Sequence, residues 1–230
     1  MSRTERSVSE SRTIRHVPTR VHGRYLLELA AAEAPDGLVV GFHGYGEDAA
    51  AHLEQLRCIP GVERWHRAAV QALHPFYTRS GEVVACWMTK QDRELAIEDN
   101  VRYVGSVIEA LERELGEPAR RVFAGFSQGV AMTWRAAARS GHPCHGVIAL
   151  AGDVPPEVGE VGPLPAGLPA LLGRGVEDSW YTEEKMNADL EILARRGVEV
   201  ETCVFEDGHV WAEDFLSAAG RFLVRVRSAS

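Results

Sequence analysis

Apolar and polar positions along the chain switch between two periods. From Tyr25 onward, short apolar runs at 25–29, 38–42, 69–73, 121–126, 146–151, 170–173 and 198–205 alternate with segments of helical spacing. Several runs are continuously apolar, as strands covered on both faces are, so the alternation predicts a mostly parallel central sheet with helices on both faces. The longest helix is predicted over 93–115, where Ile97, Val101, Val104, Ile108, Leu111 and Leu115 recur every three or four residues and Gly116 and Pro118 end the pattern. A second, over 183–195, carries Met186, Leu190 and Leu193 on one face, acids in its first turn, arginines in its last and Gly197 as a stop. Helical patterns also cover 130–138 and 212–226.

Length and charge narrow what such a sheet serves. At 230 residues and 45% hydrophobic, the chain holds one sizeable core, read as a single domain over 12–230 after a polar, disordered arm over 1–11. Residues 14–29 are expected to form an antiparallel edge hairpin about His22-Gly23, and the Pro- and Gly-rich stretch 154–169 a long loop. With 25 Lys and Arg against 33 Asp and Glu, the net charge of −8 argues against nucleic acid or an anionic membrane as a partner. The first twenty residues lack an apolar signal core, and no run reaches the roughly 18 apolar residues of a membrane span. Cys58, Cys86, Cys144 and Cys203 lie far apart with no C-x-x-C pair, which suits buried thiols in a reducing compartment, and so a cytoplasmic location, better than a disulfide framework or a zinc site.

The sharpest chemical signal is Gly125-Phe126-Ser127-Gln128-Gly129, a G-x-S-x-G directly after one apolar run and before a helical pattern. In that context the serine sits on a tight strand-to-helix turn that lifts its hydroxyl above the sheet. A purely structural reading has the glycines making a close helix–strand crossing and the serine capping the helix.

A nucleophilic serine needs a base, and His209 follows the last predicted strand, where it meets the same sheet edge as Ser127. His22, His52, His66, His74, His142 and His145 have no such position and read as surface or loop histidines, while His43 leads a glycine-rich turn with another use. Asp178, in the loop leaving the run at 170–173, supplies the acid that fixes the imidazole tautomer; Glu177 and Asp153 are its rivals. The turn His43-Gly44-Tyr45-Gly46 offers the backbone N–H of Tyr45 to pair with that of Gln128 as an oxyanion hole. No G-K-[ST] or G-x-G-x-x-G follows the strand, which disfavours a phosphate loop.

Phe42-His43-Gly44-Tyr45-Gly46, Gly125-Phe126-Ser127-Gln128-Gly129 with Ala131-Met132, Gly175-Val176-Glu177-Asp178 and Gly208-His209 together resemble the phospholipase/carboxylesterase family of α/β-hydrolases, which includes acyl-protein thioesterases. The resemblance implies an α/β-hydrolase fold and metal- and cofactor-free cleavage of esters or thioesters through an acyl-enzyme. It carries the triad onto Ser127, Asp178 and His209, with Tyr45 and Gln128 at the oxyanion hole. The chain departs from the family at Val130, at Cys86-Trp87-Met88 and at Asp207, and none of these removes a catalytic group. The length leaves no room for a large cap domain, so small or medium substrates are expected in an open cleft, with Trp87, Trp180, Tyr181 and Trp211 as candidate lining. An acyltransferase using the same triad, a peptidase, a dienelactone-type enzyme and a non-catalytic binder on the same fold stand as alternatives.

Overall fold

The computed structural model describes residues 13–159 and 164–229. The arm expected over 1–11 and the centre of the 154–169 loop lie outside them. A seven-stranded sheet runs through the molecule, built from β1 (Arg24–Glu28), β2 (Leu38–Phe42), β3 (His66–Gln71), β6 (Arg121–Phe126), β7 (Gly146–Leu150), β8 (Pro169–Gly175) and β9 (Glu199–Phe205) in the order β1-β3-β2-β6-β7-β8-β9. Only β1 is antiparallel to its neighbour; β3, β2, β6, β7, β8 and β9 run parallel. Their carboxyl ends therefore emerge along one edge, and the segments leaving β2, β6, β8 and β9 meet there. A separate hairpin, β4 (His74–Tyr77) with β5 (Val83–Cys86), fills the stretch between β3 and the long helix.

Among the described residues, five α-helices cover the sheet: α1 (Ala49–Arg57), α2 (Arg93–Leu115), α3 (Gln128–Arg139), α4 (Glu183–Arg195) and α5 (Glu213–Ser228). Alternate strand residues face different partners, which is why the central runs are apolar throughout. Val40, Phe42, Phe123, Val147 and Leu172 pack with residues of α2, α3 and α4, whereas Val39, Val122, Ile148 and Leu171 pack with Leu56 of α1 and Phe215, Phe222 and Leu223 of α5. Each such fully buried Leu, Val or Phe is worth about 1.5–3 kcal/mol relative to exposure.

The segment 14–29 does not form the expected hairpin. Residues 13–23 carry no regular structure, and β1 pairs instead with β3, Leu26 opposite Ala69. The start of β1 is also held by α2, whose Tyr103 hydroxyl donates to the Arg24 carbonyl at 2.6 Å. Helix α1 and the hairpin β4–β5 have no counterpart in the sequence reading. Asp48 caps α1, its side chain accepting from the Ala51 N–H at 2.8 Å.

Candidate active site

Ser127 joins β6 to α3 at φ 51° and ψ −119°, a conformation that costs a side-chain-bearing residue about 1–3 kcal/mol and persists only where its surroundings enforce it. Two bonds do so: its N–H donates to the Leu150 carbonyl at 2.9 Å, and its carbonyl accepts from Val130 at 3.0 Å. Gly129 is obligatory for a different reason. A Cβ there would lie 2.0 Å from the Phe42 carbonyl oxygen, so only glycine lets α3 start against the end of β2.

Asp178 and His209 meet across the ends of β8 and β9. His209 Nδ1 lies 2.7 Å from Asp178 Oδ2, and the Asp178 side chain has no exposed surface. The other carboxylate oxygen accepts from the backbone N–H groups of Trp180 at 2.8 Å and Tyr181 at 3.0 Å. An ionised carboxylate so held requires Nδ1 to carry the proton, which leaves Nε2 as the basic nitrogen. Gly175 allows the two loops to touch, since a Cβ there would stand 2.2 Å from the Asp207 carbonyl oxygen. The imidazole rests on Phe126, ring centroids 4.9 Å apart, and so lies one residue from Ser127. Glu177 is exposed, and Asp153 pairs with Lys185 at 3.2 Å.

The turn after β2 lies over the serine, because a Cβ on Gly44 would be 3.4 Å from that of Ser127. Its amides are mostly committed. Gly44 donates to Glu47 Oε2 at 2.7 Å, Gly46 to the Ala85 carbonyl at 3.1 Å and Glu47 back to the Gly44 carbonyl at 3.3 Å. Among the described residues the N–H of Tyr45 has no partner, nor does that of Gln128 in the first turn of α3. His43 clamps the turn: its Nδ1 donates to the Gly44 carbonyl at 2.6 Å and its Nε2 accepts from Ala72 at 3.1 Å. Burial holds its pKa below the usual histidine range, and a neutral ring is the form this one-donor, one-acceptor arrangement needs.

The profile of the phospholipase/carboxylesterase family matches residues 29–226. The chain belongs to that family. It is a carboxylesterase-type hydrolase with the α/β-hydrolase fold. The esterase PE8 is similar over 90% of this chain and 100% of its own, at 25% identity and a TM-score of 0.72. A Bacillus cereus carboxylesterase superposes with a TM-score of 0.74 at 11% identity, covering 89% of this chain and 94% of its own. Arabidopsis thaliana SOBER1 does so at 0.69 and 20%, covering 82% and 98%. No protein with a curated description matches the chain by sequence.

The four aromatic residues expected to line a pocket in this family member do not share a surface. Trp87 and Tyr181 are 0% and 1% exposed, so neither faces a ligand; both are framework residues. Trp180 is 74% exposed, and Trp211 is half-buried between Phe126 and Phe215. His52 is likewise no surface histidine. It is wholly buried on α1, where desolvation, with nearby His43 adding, lowers its pKa to about 3. Its Nδ1 is 3.0 Å from Gln55 Oε1, and Gln55 Nε2 donates to Glu47 Oε1 at 2.8 Å, so α1 supports the carboxylate that holds Gly44. Glu47 and Gln55 form no motif, and the sequence carries no signal for their pairing.

Among the described residues no group of three or more His, Cys, Asp or Glu side chains is arranged to hold a metal ion, and no helix is long and apolar enough to cross a membrane.

Proposed function

We propose that the enzyme hydrolyses carboxylic esters or thioesters through an acyl-enzyme, with Ser127 as nucleophile, His209 as general base and acid, and Asp178 as the group that orients the imidazole. One observation carries the reading: a histidine whose Nδ1 is tied at 2.7 Å to a buried carboxylate rests against Phe126, the residue that precedes a serine held at φ 51°. Strain of that kind gathers where a hydroxyl must be presented to a substrate.

In acylation the Ser127 oxygen attacks the carbonyl carbon while its proton passes to His209 Nε2. The resulting oxyanion accepts from the free N–H groups of Tyr45 and Gln128. Collapse breaks the bond to the alcohol or thiol, which leaves with the proton from Nε2. Water then attacks the acyl-enzyme, again giving its proton to Nε2, and the proton returns to the serine oxygen as the acid is released. Asp178 stays ionised and stabilises the imidazolium at both steps.

Small or medium substrates suit the site. The exposed ring of Tyr45 lies tilted against that of Phe76 of β4, centroids 5.5 Å apart, giving the oxyanion amide an apolar flank. Four free cysteines, two of them buried, agree with a cytoplasmic enzyme formed of one domain over 12–230.

The test is hydrolysis of p-nitrophenyl esters from acetate to palmitate by the wild type and Ser127→Ala, with a fluorophosphonate label mapped by mass spectrometry. The expected result is turnover that disappears with Ser127 and an adduct on that residue. Turnover that survives Ser127→Ala, or a folded wild type with neither turnover nor adduct, refutes it.

A further inference from the structure

The segment that leaves β5 is bonded to both loops that carry the free amides. On one side, Ala85 and Glu47 form an isolated antiparallel bridge, with Ala85 N–H donating to the Glu47 carbonyl at 2.8 Å and Gly46 N–H to the Ala85 carbonyl at 3.1 Å. Two residues on, the indole Nε1 of Trp87 donates to the His43 carbonyl at 2.8 Å. On the other side, the backbone N–H of Trp87 donates to Oε1 of Gln128 at 2.8 Å, and Nε2 of Gln128 donates to the Met88 carbonyl at 3.0 Å. The Gln128 carboxamide thus forms a two-point pair with the backbone of residues 87 and 88. Asn100 of α2 fixes the segment from behind, donating to the Trp87 carbonyl at 2.8 Å. The indole itself is enclosed, 5.6 Å from the ring of Phe42 and 5.3 Å from that of His43.

We infer that residues 85–88 form a strut setting the separation and aim of the Tyr45 and Gln128 amides, with Trp87 and the side chain of Gln128 as positioning residues for transition-state stabilisation. This rests on the reading of those amides as the oxyanion hole. The physical need is plain: one donor lies in a glycine-rich turn with Gly46 at φ 76°, a soft stretch of backbone, and the other heads a helix on a different strand. An oxyanion hole acts by being arranged before charge develops, so two donors on separate loops require a rigid link between them. The strut supplies it with five hydrogen bonds, three to the turn after β2 and two to the Gln128 carboxamide, that avoid the reacting atoms. Charge on the substrate oxygen appears only in the transition state, so a loosened strut lowers kcat and leaves KM nearly unchanged.

Trp87→Phe removes the indole donor and keeps an aromatic ring; Gln128→Met removes both carboxamide bonds at similar volume, and Gln128→Glu keeps the acceptor for the Trp87 N–H but sets a carboxylate oxygen against the Met88 carbonyl. Trp134→Phe is the control, because Trp134 is also wholly buried but its Nε1 has no hydrogen-bond partner among the described residues. Each variant is assayed on p-nitrophenyl acetate, for inhibition by an arylboronic acid that forms a tetrahedral adduct with serine, and for thermal melting. The Trp87 and Gln128 variants are expected to lose about 10–100-fold in kcat with KM changed by less than about threefold, and boronate affinity is expected to fall in parallel. Trp134→Phe is expected to keep its kcat even where its melting temperature falls. Folded Trp87 and Gln128 variants with wild-type kcat overturn the inference, as does a loss shared equally by Trp134→Phe. Should Trp87→Phe fail to fold, the two Gln128 variants decide the outcome. A wild type whose turnover survives Ser127→Ala removes the underlying reading instead, which separates the two failures.

Discussion

Asp189 on α4 gives the sharpest test of the energetics beside the site. The carboxyl is 4% exposed, and its Oδ2 accepts from the Val154 N–H at 3.0 Å and the Tyr181 hydroxyl at 2.9 Å. Desolvation dominates those bonds, and with the charge of Asp153 nearby it raises the pKa from 3.8 to about 6, Lys185 opposing weakly. The native state therefore favours the protonated acid. The stability this contributes is fully present below about pH 3.8 and is lost as pH rises through about 6, a total of about 3 kcal/mol at 1.36 kcal/mol per pH unit. Asp189→Asn keeps an oxygen to accept both bonds and carries no charge to desolvate. Between pH 4 and pH 7 the wild type should thus lose roughly 2–2.5 kcal/mol relative to the variant, widening the variant's advantage in melting temperature by about 4–10 °C for a chain of this size. Scanning calorimetry of both proteins at half-unit pH steps measures it. The pair Asp153–Lys185 is present in both proteins and cancels in the difference. A difference that stays flat, or shrinks toward pH 7, refutes the reasoning.

Ser127→Gly should raise stability by about 1–2 kcal/mol in urea or thermal melts while abolishing hydrolysis, because glycine adopts φ 51° without strain. Asp178→Asn should lower kcat by on the order of 10³–10⁴ with little change in KM, since an amide no longer selects the tautomer that leaves Nε2 basic. Gly129→Ala should cost more than about 3 kcal/mol or prevent folding, its Cβ falling 2.0 Å from the Phe42 carbonyl oxygen, whereas Gly208→Ala, with nothing within 4 Å, should melt within about 2 °C of the wild type.

How far the sequence reveals this structure depends on what each element rests on. Helix α2 and the buried strands β2, β6, β7 and β8 are visible because a continuous core forces continuous periodicity on them. Helix α1 is hidden by its position: it follows a glycine-rich turn, and its run of alanines has little amphipathic contrast, although Asp48 is a readable cap. Hairpin β4–β5 escapes because each strand has only four residues and Pro75 lies inside the first. At the site, motif and chain order nominate Ser127, Asp178 and His209, and the structure brings the latter two within 2.7 Å while Glu177 is exposed and Asp153 pairs with Lys185. The roles of Trp87 and Tyr181 could not be read in advance. An aromatic residue near a strand end serves a ligand or the framework according to burial, which depends on residues distant in the chain. The same holds for the carboxamide of Gln128, whose partners lie 40 and 41 positions away.

The hairpin β4–β5 is two things at once. Its root is fastened to the turn after β2 and leads into the Gln128 contacts, while its tip closes on itself, with the Thr78 N–H donating to the Glu82 carbonyl at 2.9 Å and Gly81 at φ 88°. Tyr77 and Val83, beside the tip, are 76% and 48% exposed. The anchored root and the exposed tip are thus separable along a single ribbon. Evolution, or a library confined to residues 77–83, can lengthen or recolour the end that meets solvent and leave the bonds to the turn after β2 and to Gln128 untouched.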